Sequence, residues 1–132
     1  MLKAIIFDFD GVLADSMPYH AQAWKIAFKE VGVEINREDI YEVEGSNHVG
    51  IINLMFKKAG KTPQPQQFDE KTQKKRKIFS DISHLENFED MDKCLSLLKK
   101  KFKLAVVSGA DRNAVYNMVN QFYPDIFDVI VT

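Results

Sequence analysis

Lys3-Ala4-Ile5-Ile6-Phe7-Asp8-Phe9-Asp10-Gly11-Val12-Leu13-Ala14-Asp15-Ser16 opens as an apolar run and closes as a polar turn. Ala4, Ile5, Ile6 and Phe7 are apolar at successive positions, so a strand formed there is apolar on both faces. That is the pattern of an interior strand in a parallel sheet covered by helices. Asp8 and Asp10 stand where the strand stops, and Gly11 lets the backbone turn tightly behind them. Two carboxylates at a strand end suit a hard cation. Mg²⁺ takes oxygen ligands and keeps several waters, so one or two carboxylates and a carbonyl are enough protein ligation. A carboxylate close to such an ion stays ionised and is a nucleophile toward phosphorus, which makes Asp8 the candidate nucleophile. Asp10, leaving the backbone differently, is the candidate acid/base, protonating a leaving oxygen and later deprotonating water. Both are candidate metal ligands. An isolated Asp-x-Asp reads equally as an acidic strand terminus; the nine-residue string behind an apolar strand says more.

The remainder of the 132 residues narrows the class. With 45% hydrophobic and 28% charged residues the chain has the composition of an ordinary soluble protein able to bury a core. Its net charge of -1 argues against a general nucleic-acid binder. No segment approaches the roughly 18 apolar residues of a membrane span, and Asp8 interrupts the apolar start too early for a signal peptide. The one cysteine, Cys94, excludes an intrachain disulfide and fits a reducing cytoplasm as the expected compartment. Its helical surroundings predict that it packs in the core.

Residues 16–85 read as helical throughout. Trp24, Ala27, Phe28 and Val31 recur at helical spacing from Pro18 and stop at Gly32. Asn36 caps a short helix through Val43, and Ser46 or Asn47 starts another that ends at Gly60. A long helix runs from about Pro65 to Ile82. Its basic run Lys71, Lys74, Lys75, Arg76 and Lys77 reads as a solvated face. Beyond His84 a helix over Asn87–Lys101 turns Met91, Leu95 and Leu98 inward. A strand follows at Leu104-Ala105-Val106-Val107, a helix over Asp111–Phe122, and a last short strand over Phe127–Val131. The fold class is therefore α/β: a Rossmann-like parallel sheet core from residues 1–15 and 86–132, with an α-helical domain, residues 16–85, inserted in it. Ligands of such sheets bind beyond the carboxyl ends of the strands, where both Asp8 and Ser108 fall. Ser108, followed by Gly109, is placed to hold an anion at a helix start, and reads equally as a plain helix N-cap.

The string Asp8-Phe9-Asp10-Gly11-Val12-Leu13-Ala14-Asp15-Ser16 resembles the first motif of the haloacid dehalogenase-like phosphatases. Tyr19-His20 and Ala23-Trp24 look like the start of the helical cap in the beta-phosphoglucomutase-like branch. Val106-Val107-Ser108-Gly109 is similar to the second motif, and Phe127-Asp128 to the strand after it. The resemblance implies an Mg²⁺-dependent hydrolase of a small phosphorylated metabolite, acting through an aspartyl-phosphate. In it Asp8 is the nucleophile, Asp10 the acid/base, and Ser108 with nearby backbone N–H groups the phosphoryl holder. An Asp at the second position sets the chain apart from the dehalogenases, which lack it, and from transport ATPases, which carry Thr.

The resemblance further implies that residues 16–85 form a mobile cap, with hinges near Ala14-Asp15-Ser16 and Leu85-Asn87. His20 is then a cap residue that helps position Asp10, or a partly exposed helix histidine. His48 stands where the sugar-phosphate mutases carry an arginine, which favours a phosphatase over a mutase. A lysine and a second acidic motif of the family have no counterpart after Ser108, where Arg112 is the only basic residue. The expectation is an incomplete core with an open apolar edge at Ile5–Phe9, an N-terminal piece of a longer phosphatase. The other readings are a sugar-phosphate mutase, a non-catalytic phosphate-binding fragment that self-associates through the sheet edge, and a receiver-like domain.

Overall fold

Leu104 and Val106 are fully buried, while Lys103 and Val107 on either side of them are exposed. One face of the sheet is thus dry and the other wet. The computed structural model describes residues 1–132, which form two compact units: Met1–Ser16 with His84–Thr132, and Met17–Ser83.

In the first unit, β1 (Ala4–Phe7), β2 (Lys103–Val107) and β3 (Val129–Val131) form one parallel sheet in the order β1-β2-β3. The register pairs Phe7 with Val106 and Val107 with Val131. The buried face of β2 joins one core with Leu95 of α5 (Met91–Lys99) and with Val115, Met118 and Val119 of α6 (Arg112–Phe122). Ile5, Phe7 and Ile130 pack against that core from the neighbouring strands. On the opposite face Ile6 is 67%, Val107 46%, Val129 54% and Val131 52% exposed. The reading of a strand covered on both faces is therefore corrected: β1 is apolar on both faces and covered on one, and it lies at the edge of the sheet, as the expectation of an open apolar edge at Ile5–Phe9 had it. Both crossovers step in the same direction along the sheet, and crossovers of one hand that do so deliver their helices to one side.

Asp128 fastens β3 to the start of β2. Its N–H donates to Leu104 O at 2.8 Å, and its Oδ2 accepts the Leu104 N–H at 2.9 Å. That backbone hydrogen bond, with Lys103 and Lys99 nearby, holds its carboxyl below the usual range against the opposing effect of burial.

The second unit is four helices: α1 (Met17–Lys29), α2 (Arg37–Tyr41), α3 (His48–Lys58) and α4 (Pro65–Ile82). Local chemistry sets their starts. Asn36 and Asp39 form a reciprocal capping box on α2, and Asn47 caps α3 through the Gly50 N–H at 2.8 Å. Pro65 opens α4, where its missing N–H costs nothing. Ala23 and Ala27 of α1 let Ile78 of α4 pack close, while Trp24 and Phe28 lead a second cluster with Ile52, Met55 and Phe56 of α3.

Two sequence expectations fail here. Cys94 is exposed, because Leu95 is the residue of α5 that turns inward, with Met91 and Leu98 flanking it. The basic run of α4 is not a wholly solvated face: Lys71 and Lys75, one turn apart, are each only 6% exposed. They share the helix face of Ile78, and Lys71 Nζ reaches Ala27 O at 3.3 Å and Glu30 at 3.2 Å.

The asymmetry of the sheet gives a direct expectation. Leu104→Ala should cost about 2–5 kcal/mol in urea unfolding. Val131→Thr on the bare face should stay within about 0.5 kcal/mol of the parent. Equal losses in the two variants would contradict a one-sided core.

Candidate active site

The loop from Asp8 to Ser16 is wound around one acceptor. Phe9 O takes the N–H groups of Val12 at 3.2 Å, Leu13 at 2.9 Å and Ala14 at 3.1 Å, while Gly11 N–H returns to Ala14 O at 2.9 Å. Gly11 has φ 73°, a conformation costly for any residue with a Cβ. Phe9, Leu13 and Ala14 are buried at 1%, 0% and 0% exposure. Burial of these apolar residues turns the carboxylates on either side of Phe9 the other way: Asp8 is exposed and Asp10 partly so. Asp8 Oδ1 accepts the Phe9 N–H at 2.7 Å. Asp10 Oδ1 accepts the hydroxyl of fully buried Ser16.

The loop is anchored at two further points. Tyr123, just past α6 and 1% exposed, donates its hydroxyl to Leu13 O at 2.6 Å. Burial, with Asp92 adding to it, pushes that phenol up to about 12. Asp15 N–H donates to Glu86 O at 2.9 Å, which ties the point where the chain leaves the α/β unit to the point where it re-enters.

Because Phe7 pairs with Val106, Asp8 and Ser108 lie just beyond the carboxyl ends of adjacent parallel strands. Ser108 N–H donates to Val131 O at 2.9 Å, and its Oγ accepts the Ala110 N–H at 3.0 Å. Ser108 is not the cap of α6. That place belongs to Asp111, whose Oδ1 accepts the Ala114 N–H at 3.1 Å. At Gly109 an added Cβ would meet nothing within 4 Å, so no packing within the chain demands a glycine there. The first unit therefore brings Asp8, Asp10, Ser108 and Gly109 to one end of its sheet. The carboxylates of Asp8 and Asp10 are hard oxygen donors, a donor set of the kind Mg²⁺ takes.

The two histidines singled out from the sequence converge within the helical unit. His20 Nδ1 lies 2.8 Å from Lys75 Nζ, and its ring stacks on Phe79 with centroids 4.2 Å apart. An ammonium only donates, so Nδ1 is the acceptor in this contact. Lys75 Nζ also stands 5.0 Å from the Phe79 centroid and 5.8 Å from that of Trp24. His48 meets the Trp24 ring edge-on at 5.4 Å. Burial lowers the His48 imidazole to about 4, assisted by the positive charges of Lys75 and Arg76 and by His20. Sequence reasoning placed Lys75 on a solvated helix face and Ser16 at a hinge, and gave neither a contact with the candidate site residues. The signal for Lys75 was its four-residue spacing from Lys71 on the apolar side of α4.

The sequence matches the family model for haloacid dehalogenase-like hydrolases over residues 5–132. The chain belongs to that family. An uncharacterized Haemophilus influenzae protein is 40% identical over 57 residues, which make up 43% of this chain and 28% of that protein. A Bacillus subtilis beta-phosphoglucomutase is 40% identical over 37 residues, 28% of this chain and 16% of the enzyme. Among solved structures, a Bacteroides vulgatus protein provisionally assigned as a beta-phosphoglucomutase superposes with TM-score 0.83 at 30% identity, covering 96% of this chain and 52% of that one. A Haemophilus somnus protein assigned by prediction as a phosphoglycolate phosphatase shares the fold, with TM-score 0.80 at 22% identity, 98% of this chain and 62% of that one. The chain thus spans a little over half the length of these two structures. No helix of the family member described here is long and apolar enough to cross a membrane.

Two outcomes follow. Tyr123→Phe leaves the buried Leu13 carbonyl without its partner and should cost about 1–3 kcal/mol, read from urea midpoints. For His48 the folded state resists protonation, so the unfolded state binds more protons between pH 6.5 and about 4. Its contribution is complete above pH 6.5, is lost as pH falls toward 4, and changes no further below. Wild type should therefore lose stability relative to His48→Gln across that window; parallel pH profiles would contradict it.

Proposed function

We propose that this chain carries the nucleophile and the phosphoryl-holding half of an Mg²⁺-dependent phosphatase acting on a small phosphorylated metabolite. The observation that carries the reading is the placement of Asp8 and Asp10 beside Ser108 at the ends of neighbouring parallel strands. Asp8 and Asp10 would hold the ion, which when bound supplies positive charge against the phosphoryl oxygens.

The protein's own groups divide the chemistry. An Asp8 carboxylate oxygen attacks phosphorus; the new O–P bond forms as the ester P–O bond breaks, giving an aspartyl-phosphate and an alcohol. Asp10 gives its proton to the leaving oxygen, then takes one from the water that attacks phosphorus and releases orthophosphate from Asp8. The Ser108 hydroxyl and the Gly109 N–H hold the non-bridging phosphoryl oxygens. Within the helical unit, His20 and His48 are the residues proposed for substrate recognition. His48 in place of the mutase arginine supports hydrolysis over transfer back to a sugar. A mutase is the second reading, favoured by the likeness to the B. subtilis beta-phosphoglucomutase.

The test is a panel of sugar phosphates, phosphoglycolate and nucleotides with Mg²⁺. Hydrolysis should be lost in Asp8→Asn, and turnover unchanged by that substitution would sink the reading. Asp10→Asn should slow alkyl phosphates by about 10²–10⁴-fold, and should affect far less the initial burst of p-nitrophenolate from p-nitrophenyl phosphate, whose leaving group needs no proton. Isomerised sugar phosphate in place of orthophosphate would establish the mutase.

A further inference from the structure

Five lysines meet at the opposite end of the sheet from Asp8 and Ser108. Lys3 precedes β1, Lys103 opens β2, and Lys99, Lys100 and Lys101 close α5; with Phe102 and Asp128 they line a recess of about 300 Å³. Asp128 is the one carboxylate there. Its Oδ2 is committed to the Leu104 N–H, and its Oδ1 lies 3.6 Å from Lys103 Nζ. Lys99 Nζ donates to Ile126 O at 2.7 Å. No ion pair engages Lys3, Lys100 or Lys101. Strong local positive charge therefore gathers on a chain whose net charge is -1.

A structural account covers part of this cluster. The carbonyl end of α5 favours cations in its last turn, which suits Lys99 and Lys100. It does not account for Lys3 and Lys103, which arrive from two strands. Five lysines line one recess, and like charges gathered in this way repel unless an anion joins them. The recess is shallow and open to solvent, and its volume lies at the lower end of those that ligand pockets occupy, which fits a small anion. Ammonium groups only donate, so the complementary ligand presents acceptors alone, with several negative charges.

We propose that this recess binds a multivalent phosphate anion. Lys3, Lys100, Lys101 and Lys103 supply the charge, and Asp128 keeps Lys103 in place. The chemistry is common to a free polyphosphate chain and to a phosphoinositide headgroup. The site is independent of the phosphatase reading, since it shares none of its residues.

Titration of the isotope-labelled 132-residue protein with sodium tripolyphosphate, followed by amide NMR at low salt, tests it. Shifts should concentrate on Lys99 to Leu104 and on Asp128, persist in Ser108→Ala, and fade as salt screens the site. The double variant Lys100→Glu with Lys101→Glu should weaken binding about tenfold or more. A control of equal charge change on exposed lysines elsewhere, Lys25→Glu with Lys77→Glu, should leave binding within about twofold. Sedimentation with phosphatidylcholine vesicles containing a phosphoinositide, lost in the Lys100/Lys101 variant, would assign the anion to a lipid headgroup. No sedimentation, with tripolyphosphate still bound, would assign it to a free anion. Absence of shifts in that segment, shifts confined to Ser108–Asp111, or equal weakening in both double variants would overturn the proposal.

Discussion

The carbonyl of Phe9 organises the α/β unit. Three successive N–H groups converge on it, and the loop they close can only be drawn in that tightly because Gly11 turns behind it. Once the loop is closed, Phe9, Leu13 and Ala14 must go to the core, and Asp8 and Asp10 must leave it. The same apolar residues that stabilise the fold therefore position the polar ones. Tyr123 joins the loop to the far end of α6, more than a hundred residues on, so the site geometry and the packing of the last helix are coupled.

The sheet shows how connection geometry decides exposure. Ile6, Val107, Val129 and Val131 have the side chains of a buried strand and stand in solvent, because both crossover helices lie on the other face. Apolar composition states that a surface is able to be buried; topology decides whether something covers it. An edge strand with such a face is also a template for pairing with another chain, a hazard that charged Lys3 beside the start of β1 only partly blunts.

Much of this was legible in the residues. The parallel α/β core, the run of helices between its first two strands, the Asn36 cap, the Pro65 start of α4 and the shared strand end of Asp8 and Ser108 each follow from local pattern. They are set by turn chemistry and periodicity, which act within a few residues. What was not legible depends on distant partners. Cys94 lies beside Leu95 on α5, and whether it is buried turns on how wide the contact with the sheet is. Lys71 and Lys75 look like members of a solvated run until α1 provides a carbonyl, a histidine ring and a tryptophan face for them. Asp111 displaced Ser108 as the cap of α6 because the chain takes three more residues to turn after β2. Carboxylate chemistry nominates Asp8 and Asp10 and the family motif implies the roles of Ser108 and Gly109; the fold adds the location they share and the partners of Asp8, Asp10 and Ser108.

The hydrogen bond from Asp15 to Glu86 has a bearing on how this architecture arises and changes. It makes the exit and the return of the chain near neighbours, so to the α/β unit the whole excursion between them is a loop with fixed ends. Closing such a loop costs an entropy that grows only with the logarithm of its length. A segment of very different size is then thermodynamically interchangeable at this point, provided it begins and ends side by side. The loop from Asp8 to Ser16 and the stretch of chain at Glu86 are in that sense a fixed pair of attachment points, and the helical unit one module that can be carried between them.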